Sequence, residues 1–294
     1  MTNHKLNSME PILVIGATGN VGQAVIKSLA HLGCASRATA LNDQDAKKVP
    51  NEADETVIFD FEKPETFVDT FKNVKKMFLM RPPAISDVDK FFKPLIDYAQ
   101  KVNVEQVVFL SLIGVEERTY VPHYKIEQLI KASNIDYTFL RASFFMQNLN
   151  TTHRTDLVTY NDIFIPAGQA KTAFIDTRDI GAVAAHILTT DGHQNKSYEL
   201  TGKEAFTYDE VAHIFTEVLG RNITYSNPSL LHFARRMKRR GHPTSFVIVT
   251  TALYFVTRHG SAEKVTYDVN VLLGRDPISI EQYVQDYADY WQIE

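Results

Sequence analysis

Three glycines near the start of the sequence are spaced to bind a phosphate group through the backbone. Gly16, Gly19 and Gly22 follow one another at three-residue steps, after the apolar run Ile12–Ile15 and before apolar residues at near-helical spacing over 21–32. A strand, a glycine turn and a helix in this order are typical of a dinucleotide site. The helix N-terminus presents free N–H groups and a partial positive charge to the phosphates. The pattern predicts a bound dinucleotide, NADP or NAD.

The residues between these glycines are candidate contacts as well. In such a turn the first glycine permits the tight bend, the second permits close approach of the pyrophosphate, and the third permits close helix–strand packing. We expect Thr18, Asn20 and Val21 to contact the dinucleotide. Thr and Asn are also ordinary turn and helix-cap residues, so both interpretations stay open for them. No Gly-Lys-Ser/Thr follows, which excludes a phosphate loop of the nucleotide triphosphatases.

Alternating strands and helices are predicted to position this turn. Short apolar and β-branched runs predict strands at Ile12–Ile15, 36–41, 56–60, Lys76–Met80, 107–111, 137–140, Phe174–Ile175 and 198–200. Helical patterns lie between several of them, for example over 124–132 and 179–188. This alternation predicts an α/β fold with a doubly wound parallel sheet and right-handed crossovers.

The last third of the sequence has a different character and predicts a smaller, mostly helical C-terminal lobe. Thr207 with Glu210, and Ser279 with Gln282, have the capping-box spacing that begins a helix. The apolar segment 246–256 is too short to span a bilayer, so we expect a buried helix or strand there. The predicted domains are 1–150, with 171–200 returning to it, for cofactor binding, and 151–170 with 201–294 for the lobe on the substrate side.

Composition excludes several classes of function. The formal net charge is −4, which provides no general attraction to nucleic acid or to an anionic membrane. Cys34 is the single cysteine, so an internal disulfide and a cysteine zinc site are excluded, and a reducing, cytoplasmic location is expected. The first ten residues are polar, and we expect no secretory signal. The ten histidines have no paired metal spacing, so no metal is predicted. The basic run from Arg235 to Arg240 is interpreted as a solvated helix face, with an acidic partner as the alternative.

Six motifs in order resemble the NmrA-like group of atypical short-chain dehydrogenase/reductases. They are Gly-Ala-Thr-Gly-Asn-Val-Gly at 16–22, Phe-Leu-Met-Arg-Pro-Pro at 78–83, Val-Phe-Leu-Ser at 108–111, Tyr-Thr-Phe-Leu-Arg at 137–141 with Phe-Phe-Met-Gln-Asn at 144–148, Ile-Asp-Thr-Arg-Asp-Ile at 175–180, and Leu-Gly-Arg at 273–275. The resemblance implies a Rossmann domain that binds NAD(P) and a small C-terminal lobe that closes a substrate cleft. Some members of this group are reductases of quinones, dyes or related carbonyl compounds, and others are redox sensors.

The resemblance and the strand ends together indicate the remaining candidate residues. Asp60 and Phe61 are expected to flank the adenine, with the carboxylate accepting from its amine. Arg81 and Pro82 end the fourth strand, at the sheet edge where ligands bind, although Arg81 could equally meet a surface carboxylate. The candidate cofactor contacts outside the glycine turn are Asn42, Asp60, Phe61, Arg81, Pro82, Ser111, His123 and Phe144. The candidate substrate-pocket residues are Phe145, Met146 and Asn148.

The end of the second strand should contact the adenosine ribose. A carboxylate there favours NAD, and an arginine favours NADP. In relatives that bind NADP, the position of Leu41 is commonly arginine, and this chain departs from that pattern. Lys47 and Lys48 could replace the missing cation, or they could be solvated helix charges.

A proton donor is harder to find than a cofactor site. Short-chain dehydrogenases with a full active site use Tyr-x-x-x-Lys, and no tyrosine of this chain has a lysine four residues later. His123 lies where relatives place lysine or histidine. It could contact the ribose, and near neutral pH it could carry a proton.

The sequence therefore predicts an NAD(P)H-dependent reductase that transfers a hydride to a small carbonyl, quinone-like or dye-like acceptor. The alternative is a non-catalytic redox sensor that binds the dinucleotide and controls a protein partner. We expect a small-molecule substrate and neither nucleic-acid nor membrane binding, and the sequence leaves a homodimer open.

Overall fold

The structure is a computed structural model that describes residues 10–292. That part of the chain contains eleven strands, most of them short apolar runs. In chain order they are β1 (Ile12–Ile15), β2 (Ser36–Ala40), β3 (Glu55–Ile58), β4 (Lys76–Met80), β5 (Gln106–Leu112), β6 (Asp136–Ala142), β7 (Phe144–Phe145), β8 (Asp162–Ile163), β9 (Phe174–Ile175), β10 (Lys196–Leu200) and β11 (Thr224–Tyr225).

Twelve α-helices lie in the same part of the chain, with short 3₁₀ turns between some of them. They are α1 (Asn20–His31), α2 (Asp43–Ala46), α3 (Phe67–Thr70), α4 (Val88–Lys101), α5 (Pro122–Lys131), α6 (Arg154–Tyr160), α7 (Thr177–Thr189), α8 (Tyr208–Leu219), α9 (Leu230–Arg239), α10 (Thr244–Thr257), α11 (Asp268–Leu273) and α12 (Ile280–Asp286).

Contacts divide the described chain into two compact units. The first contains residues 10–142 and Thr177–Leu200, and the second contains Ser143–Asp176 and 201–292. The first unit holds a parallel sheet of seven strands in the order β10-β6-β5-β4-β1-β2-β3. Because the strand order reverses beside β1, ligands of such a sheet bind at the carboxyl ends next to that strand.

The core of the first unit explains why β1, β4 and β5 form the middle of the sheet. Their side chains are almost entirely buried, as expected for parallel strands covered by helices on both faces. On one face α1 packs closely on α7. A Cβ added at Gly181 would lie 2.5 Å from the carbonyl carbon of Ala24, so only glycine permits this helix spacing.

The second unit has small sheets and a helical core. β7 pairs with β9, and β8 pairs with β11, each in a two-stranded sheet. Large aromatic side chains fill its core, and Tyr208, Phe215, Phe233, Tyr283 and Trp291 are all nearly inaccessible. The mostly helical character predicted for the last third is observed.

Most element bounds differ from the predicted ones by one or two residues, because helix and strand ends depend on tertiary hydrogen bonds. The Thr207–Glu210 capping box is present, with both reciprocal hydrogen bonds. The Ser279 box is only half present. Its hydroxyl accepts from the N–H of Gln282, but the Gln282 amide donates to Asp286 at 2.6 Å. The helix begun at Ser279 ends at Asp286, and Trp291 lies in a separate 3₁₀ turn.

One prediction about the second unit is wrong. The segment 246–256 does form a helix, α10, but most of it is not buried. Val247 and Tyr254 face the core, whereas Ile248, Val249 and Phe255 are all more than half exposed. Because α10 contains no charged residue and its apolar residues are not confined to one face, its sequence does not indicate which face is covered.

Candidate functional site

In the glycine turn between β1 and α1, the backbone at Gly19 and Gly22 lies very close to the Gly16 carbonyl group. Gly16 has a φ of +96°, and the N–H of Gly19 donates to the Gly16 carbonyl at 3.1 Å. A Cβ at Gly22 would lie 2.1 Å from that same carbonyl oxygen, a contact with rigid backbone. A Cβ at Gly19 would meet the flexible end of Met80 at 3.2 Å and would lie in ordinary contact, 3.5 Å, with the Gly16 carbonyl oxygen. Gly16 and Gly22 are therefore required by the fold, whereas a side chain at Gly19 fits the protein itself.

The N-terminus of α1 presents its backbone groups without a competing side chain. Gly19 is the N-cap residue, no side chain caps the helix, and its first turn contains no acid. Asn20 is exposed, Val21 is buried, and Thr18 is partly buried, with its carbonyl accepting from the amide of Gln23 at 3.2 Å. Free N–H groups and the helix dipole favour an anion at this point.

The loop after β2 lies against this turn. The N–H of Gly16 donates to Thr39 Oγ1 at 3.3 Å, and Gln23 Nε2 donates both to Thr18 and to the carbonyl of Lys48 at 3.0 Å. Asn42 is the N-cap of α2, because its Oδ1 accepts from the N–H of Asp45 at 2.9 Å.

Asp60 and Phe61 follow β3, and their side chains have local partners. Asp60 Oδ1 accepts from the N–H of Glu62 at 2.9 Å, and its Oδ2 lies 3.7 Å from the ammonium of Lys63. Phe61 is 8% exposed and packs on Phe59 and Phe92 in the core. The proposed adenine contact of these two residues stays a prediction.

Arg81 holds its own loop instead of a surface carboxylate. Its Nη1 donates to the carbonyl oxygens of Pro82, Pro83 and Ile85, at 3.1, 3.2 and 2.6 Å. Burial lowers the pKa of Arg81. Its Nε is buried and has no hydrogen-bond partner among the residues described. The guanidinium thus rigidifies the loop after β4 and leaves one N–H unpaired within residues 10–292, and the cofactor contact of Arg81 stays a prediction.

A buried ion pair between helix α5 and the end of strand β6 was missed by the sequence analysis. Arg141 binds Glu127 through two hydrogen bonds, of 3.1 and 2.8 Å, and also contacts Glu116. Burial raises the pKa of Glu127, and the nearby Ser111 hydroxyl lowers it by a smaller amount. Ser111 Oγ is buried, and apart from this contact with Glu127 it forms no well-aligned hydrogen bond in the part of the chain described. The only signal in the sequence was Arg141 within one of the family motifs.

The surroundings of His123 disfavour its protonated form. It lies in the first turn of α5, partly buried, with its ring 6.1 Å from that of Phe109. Burial, aided by the nearby Arg81 guanidinium, lowers the pKa of His123 to about 3. The neutral imidazole can donate or accept a hydrogen bond. Its contact with the ribose and its role as a proton donor stay predictions.

The remaining candidate residues all lie in the second unit. Phe144 and Phe145 form β7 and are partly buried, and Phe144 packs on Tyr254 with ring centroids 6.3 Å apart. Met146 is buried in the core of that unit. Asn148 is partly buried, and its carbonyl accepts from the N–H of His153 at 3.0 Å. Their role in a substrate pocket stays a prediction.

The basic run on α9 is only partly a solvated face. Arg236 and Arg240 bind the buried carboxylate of Asp156 at 2.6–2.8 Å, while Arg235 and Arg239 are exposed. Two of the five cations in the run are therefore used inside the second unit, because a buried carboxylate requires a cation.

Residues 10–292 also bear on two other features, a metal site and a membrane-spanning helix. No group of three His, Cys, Asp or Glu side chains there is arranged to hold a metal ion. No helix in that range is both long and apolar enough to cross a membrane.

The sheet order and the glycine turn after β1 define the Rossmann class of dinucleotide-binding folds. Comparison with known proteins is more specific. The chain belongs to the NmrA-like family, whose sequence model matches residues 8–262.

Individual relatives match over nearly the full length. The chain is 29% identical to the uncharacterized oxidoreductase YesF of Bacillus subtilis over 282 residues, which cover 96% of each protein. It is 27% identical to the NAD(P)H azoreductase of Xenophilus azovorans, over 94% of this chain and 98% of that enzyme. Among solved structures, the triphenylmethane reductase of a Citrobacter species complexed with NADP(H) superposes with a TM-score of 0.81 and 25% identity, over 94% of this chain and 99% of the other.

Proposed function

We propose that this protein is an NAD(P)H-dependent reductase that transfers a hydride to a small quinone-like, dye-like or carbonyl acceptor. The observation that carries the proposal is the glycine turn, where a fold-compatible position, Gly19, is nevertheless left without a side chain. The family and the reductases that it includes supply the reaction class. Within this proposal the dinucleotide lies along the carboxyl ends of the parallel strands.

The first unit contains groups that fit a dinucleotide. The uncapped N-terminus of α1 would receive the pyrophosphate through the N–H groups of Asn20 and Val21. Two buried polar atoms at the neighbouring strand ends, Arg81 Nε and Ser111 Oγ, form no well-aligned hydrogen bond in the described chain apart from the contact of Ser111 with Glu127, and would gain one from a ribose or nicotinamide amide. A bound NADH or NADPH supplies the hydride.

Proton supply follows from the state of His123. As a neutral imidazole it would hold the nicotinamide ribose by a hydrogen bond and would leave protonation of the reduced acceptor to water. This arrangement suits acceptors such as quinones and dyes, whose reduction needs little acid assistance. The contribution of the protein is then orientation of the cofactor.

Further expectations belong to this proposal. The substrate is a small molecule, and a cytoplasmic location agrees with a chain whose one cysteine, Cys34, is free. The competing function is a redox sensor, which would bind the dinucleotide and control a protein partner.

The test is acceptor-dependent oxidation of the cofactor. Purified protein should oxidise NADH or NADPH when a quinone, an azo dye or a triphenylmethane dye is added. Gly19→Val should weaken cofactor binding by about 100-fold and reduce turnover with it, while Lys27→Ala, on the exposed side of the same helix, should keep both. Tight cofactor binding with no turnover on any acceptor would favour the sensor instead. Absence of binding would contradict both functions.

A further inference from the structure

The loop that would contact the adenosine ribose has an unusual set of charges. Residues 41–48, which follow β2 and include α2, form this ribose loop. Gln23 Nε2 donates both to the Thr18 carbonyl in the glycine turn and to the Lys48 carbonyl in the ribose loop. Just before the loop, Thr39 in β2 accepts from the N–H of Gly16. Because β2 pairs with β1 and adjacent strands lie about 4.8 Å apart, the end of β2 is next to the end of β1, where the glycine turn begins. In Rossmann folds this is where the 2′ position of the ribose is recognised.

The arginine of β2 is committed elsewhere. Arg37 lies at the start of the strand, four residues before Leu41, or about 13 Å along it. Its Nε binds Glu55 at 2.6 Å, and its Nη1 donates to three backbone carbonyls, those of Asp69, Thr70 and Lys72. This guanidinium closes the opposite end of the sheet and cannot reach the ribose loop.

The cations closer to the ribose loop are also paired or distant from its start. Lys48 binds Asp45 at 2.6 Å, and Lys63, after the neighbouring strand β3, lies 3.7 Å from Asp60. Lys47 is exposed at the C-terminal end of α2. Two of the three nearby lysines therefore already face a carboxylate.

The start of the ribose loop offers a 2′-phosphate no donor with a positive charge. Leu41 is 56% exposed and apolar, and Asn42 is used as the cap of α2. Two acids, Asp43 and Asp45, follow in the first turn of that helix. A phosphate monoester carries nearly two negative charges and is normally bound by arginine forks or lysine. A ribose hydroxyl, in contrast, needs only hydrogen bonds.

From these observations we propose that the ribose loop selects NADH over NADPH, with Leu41 as the residue that determines the preference. The inference rests on the proposed function, since it concerns the same cofactor site. It sets this chain apart from the NADP(H)-complexed relative, although the fold is shared. The missing charge-assisted contact should make NADPH bind about tenfold more weakly than NADH.

The experiment is equilibrium binding of NADH and NADPH to the purified full-length protein, followed by calorimetry or by cofactor fluorescence. Wild-type protein should bind NADH about tenfold more tightly. Leu41→Arg should raise the affinity for NADPH enough to remove or reverse the ratio, and this gain should weaken as salt is added. Leu41→Met, a neutral substitution of similar size, should keep the wild-type ratio, and so should Lys47→Ala.

Several results would overturn the inference. NADPH binding as tightly as NADH in the wild type would show that another group receives the 2′-phosphate. A large loss of NADPH affinity in Lys47→Ala would identify that group. Both results leave the proposed reductase intact, because a cofactor still binds. Binding of neither nucleotide would instead remove the proposed function together with the inference.

Discussion

The loops that follow β1 and β2 lie side by side at one edge of the sheet, yet they present opposite chemistry. The β1–α1 turn presents backbone: it has glycines at three positions, no side-chain cap and no acid in the first helical turn. The β2–α2 loop presents side chains, which include a cap at Asn42, two acids and an ion pair between Asp45 and Lys48.

This difference teaches how the two parts of a dinucleotide are recognised. Backbone N–H groups at a helix N-terminus attract any phosphate, so the first loop works by keeping side chains away. The second loop must distinguish a 2′-hydroxyl from a 2′-phosphate. An unpaired cation there favours the phosphate, and the lack of one favours the hydroxyl. A cationic side chain can bind the 2′-phosphate there only if it is not already paired within the fold, as Arg37 is paired with Glu55.

The largest expected effect is on folding stability, for a substitution at Gly22. The Cβ introduced by Gly22→Ala would lie 2.1 Å from the Gly16 carbonyl oxygen, so β1 and α1 would have to separate. We expect a loss of at least about 3 kcal/mol in the free energy of unfolding, measured by denaturant titration. A stability within about 0.5 kcal/mol of wild type would mean that the close packing is not required.

Gly19→Val separates ligand binding from folding in the same turn. Valine tolerates the φ of −90° at this position. Its Cβ would lie 3.2 Å from the flexible end of Met80 and in ordinary contact, 3.5 Å, with the Gly16 carbonyl oxygen, so the melting temperature should change little. Cofactor affinity should fall by about 100-fold, since roughly 3 kcal/mol of steric cost falls on the bound state. Retained affinity would contradict the placement of the pyrophosphate.

The pH dependence sharpens the contrast between backbone and side-chain recognition. The glycine turn has no titrating group, and His123 has a pKa of about 3, so the affinity for NADH, which lacks the titrating 2′-phosphate of NADPH, should be constant between about pH 6 and 8. An affinity that changes around the ordinary histidine pKa would show that His123 is solvated and titrates.

The same histidine has a predicted effect on stability. Unfolded histidine titrates near 6.5, so between about pH 6.5 and 3 the unfolded state binds more protons than the folded state. Stability should therefore fall as the pH is lowered through this window. His123→Gln should make that slope shallower by up to one proton, in denaturant titrations at a series of pH values. An identical slope in the variant would contradict the low pKa. Buried His153 in the second unit has a pKa of about 4, so it should contribute a similar loss of stability as the pH is lowered.

The smallest expected effect tests the connection between the two loops. Gln23→Ala removes the two hydrogen bonds that join Thr18 to Lys48, and both are near the surface. We expect a loss of about 1 kcal/mol or less in unfolding free energy, and a lower protection of the β2–α2 loop in hydrogen exchange. Unchanged exchange would show that Thr39 alone holds the loops together.

The comparison also shows which features a sequence can and cannot reveal. The strand β1, the turn and α1 were all predictable, because glycine spacing and apolar periodicity are local properties. The Thr207 box was equally local, and it is present. The exposed face of α10 was not predictable, since an uncharged helix shows no periodicity that would indicate its covered side.

The site illustrates the same limit. The role predicted for His123 stays a prediction, but its pKa could not be read from the sequence, because it depends on burial and on Arg81, 42 residues earlier in the chain. The Glu127–Arg141 pair was not found at all. Its members have no spacing rule in the sequence, since a strand end and a helix face bring them together.

The sequence by itself determined the class of fold, the family and the position of the phosphate-binding turn, because each of these is encoded by residues close together in the chain. Only the tertiary structure decided which charges remain free. Arg37, Arg81 and Arg141 look alike in the sequence, yet one closes the far end of the sheet, one stiffens a loop and one neutralises a buried acid. The partners of a charged side chain are set by long-range packing, and the choice of cofactor depends on what that packing leaves unpaired.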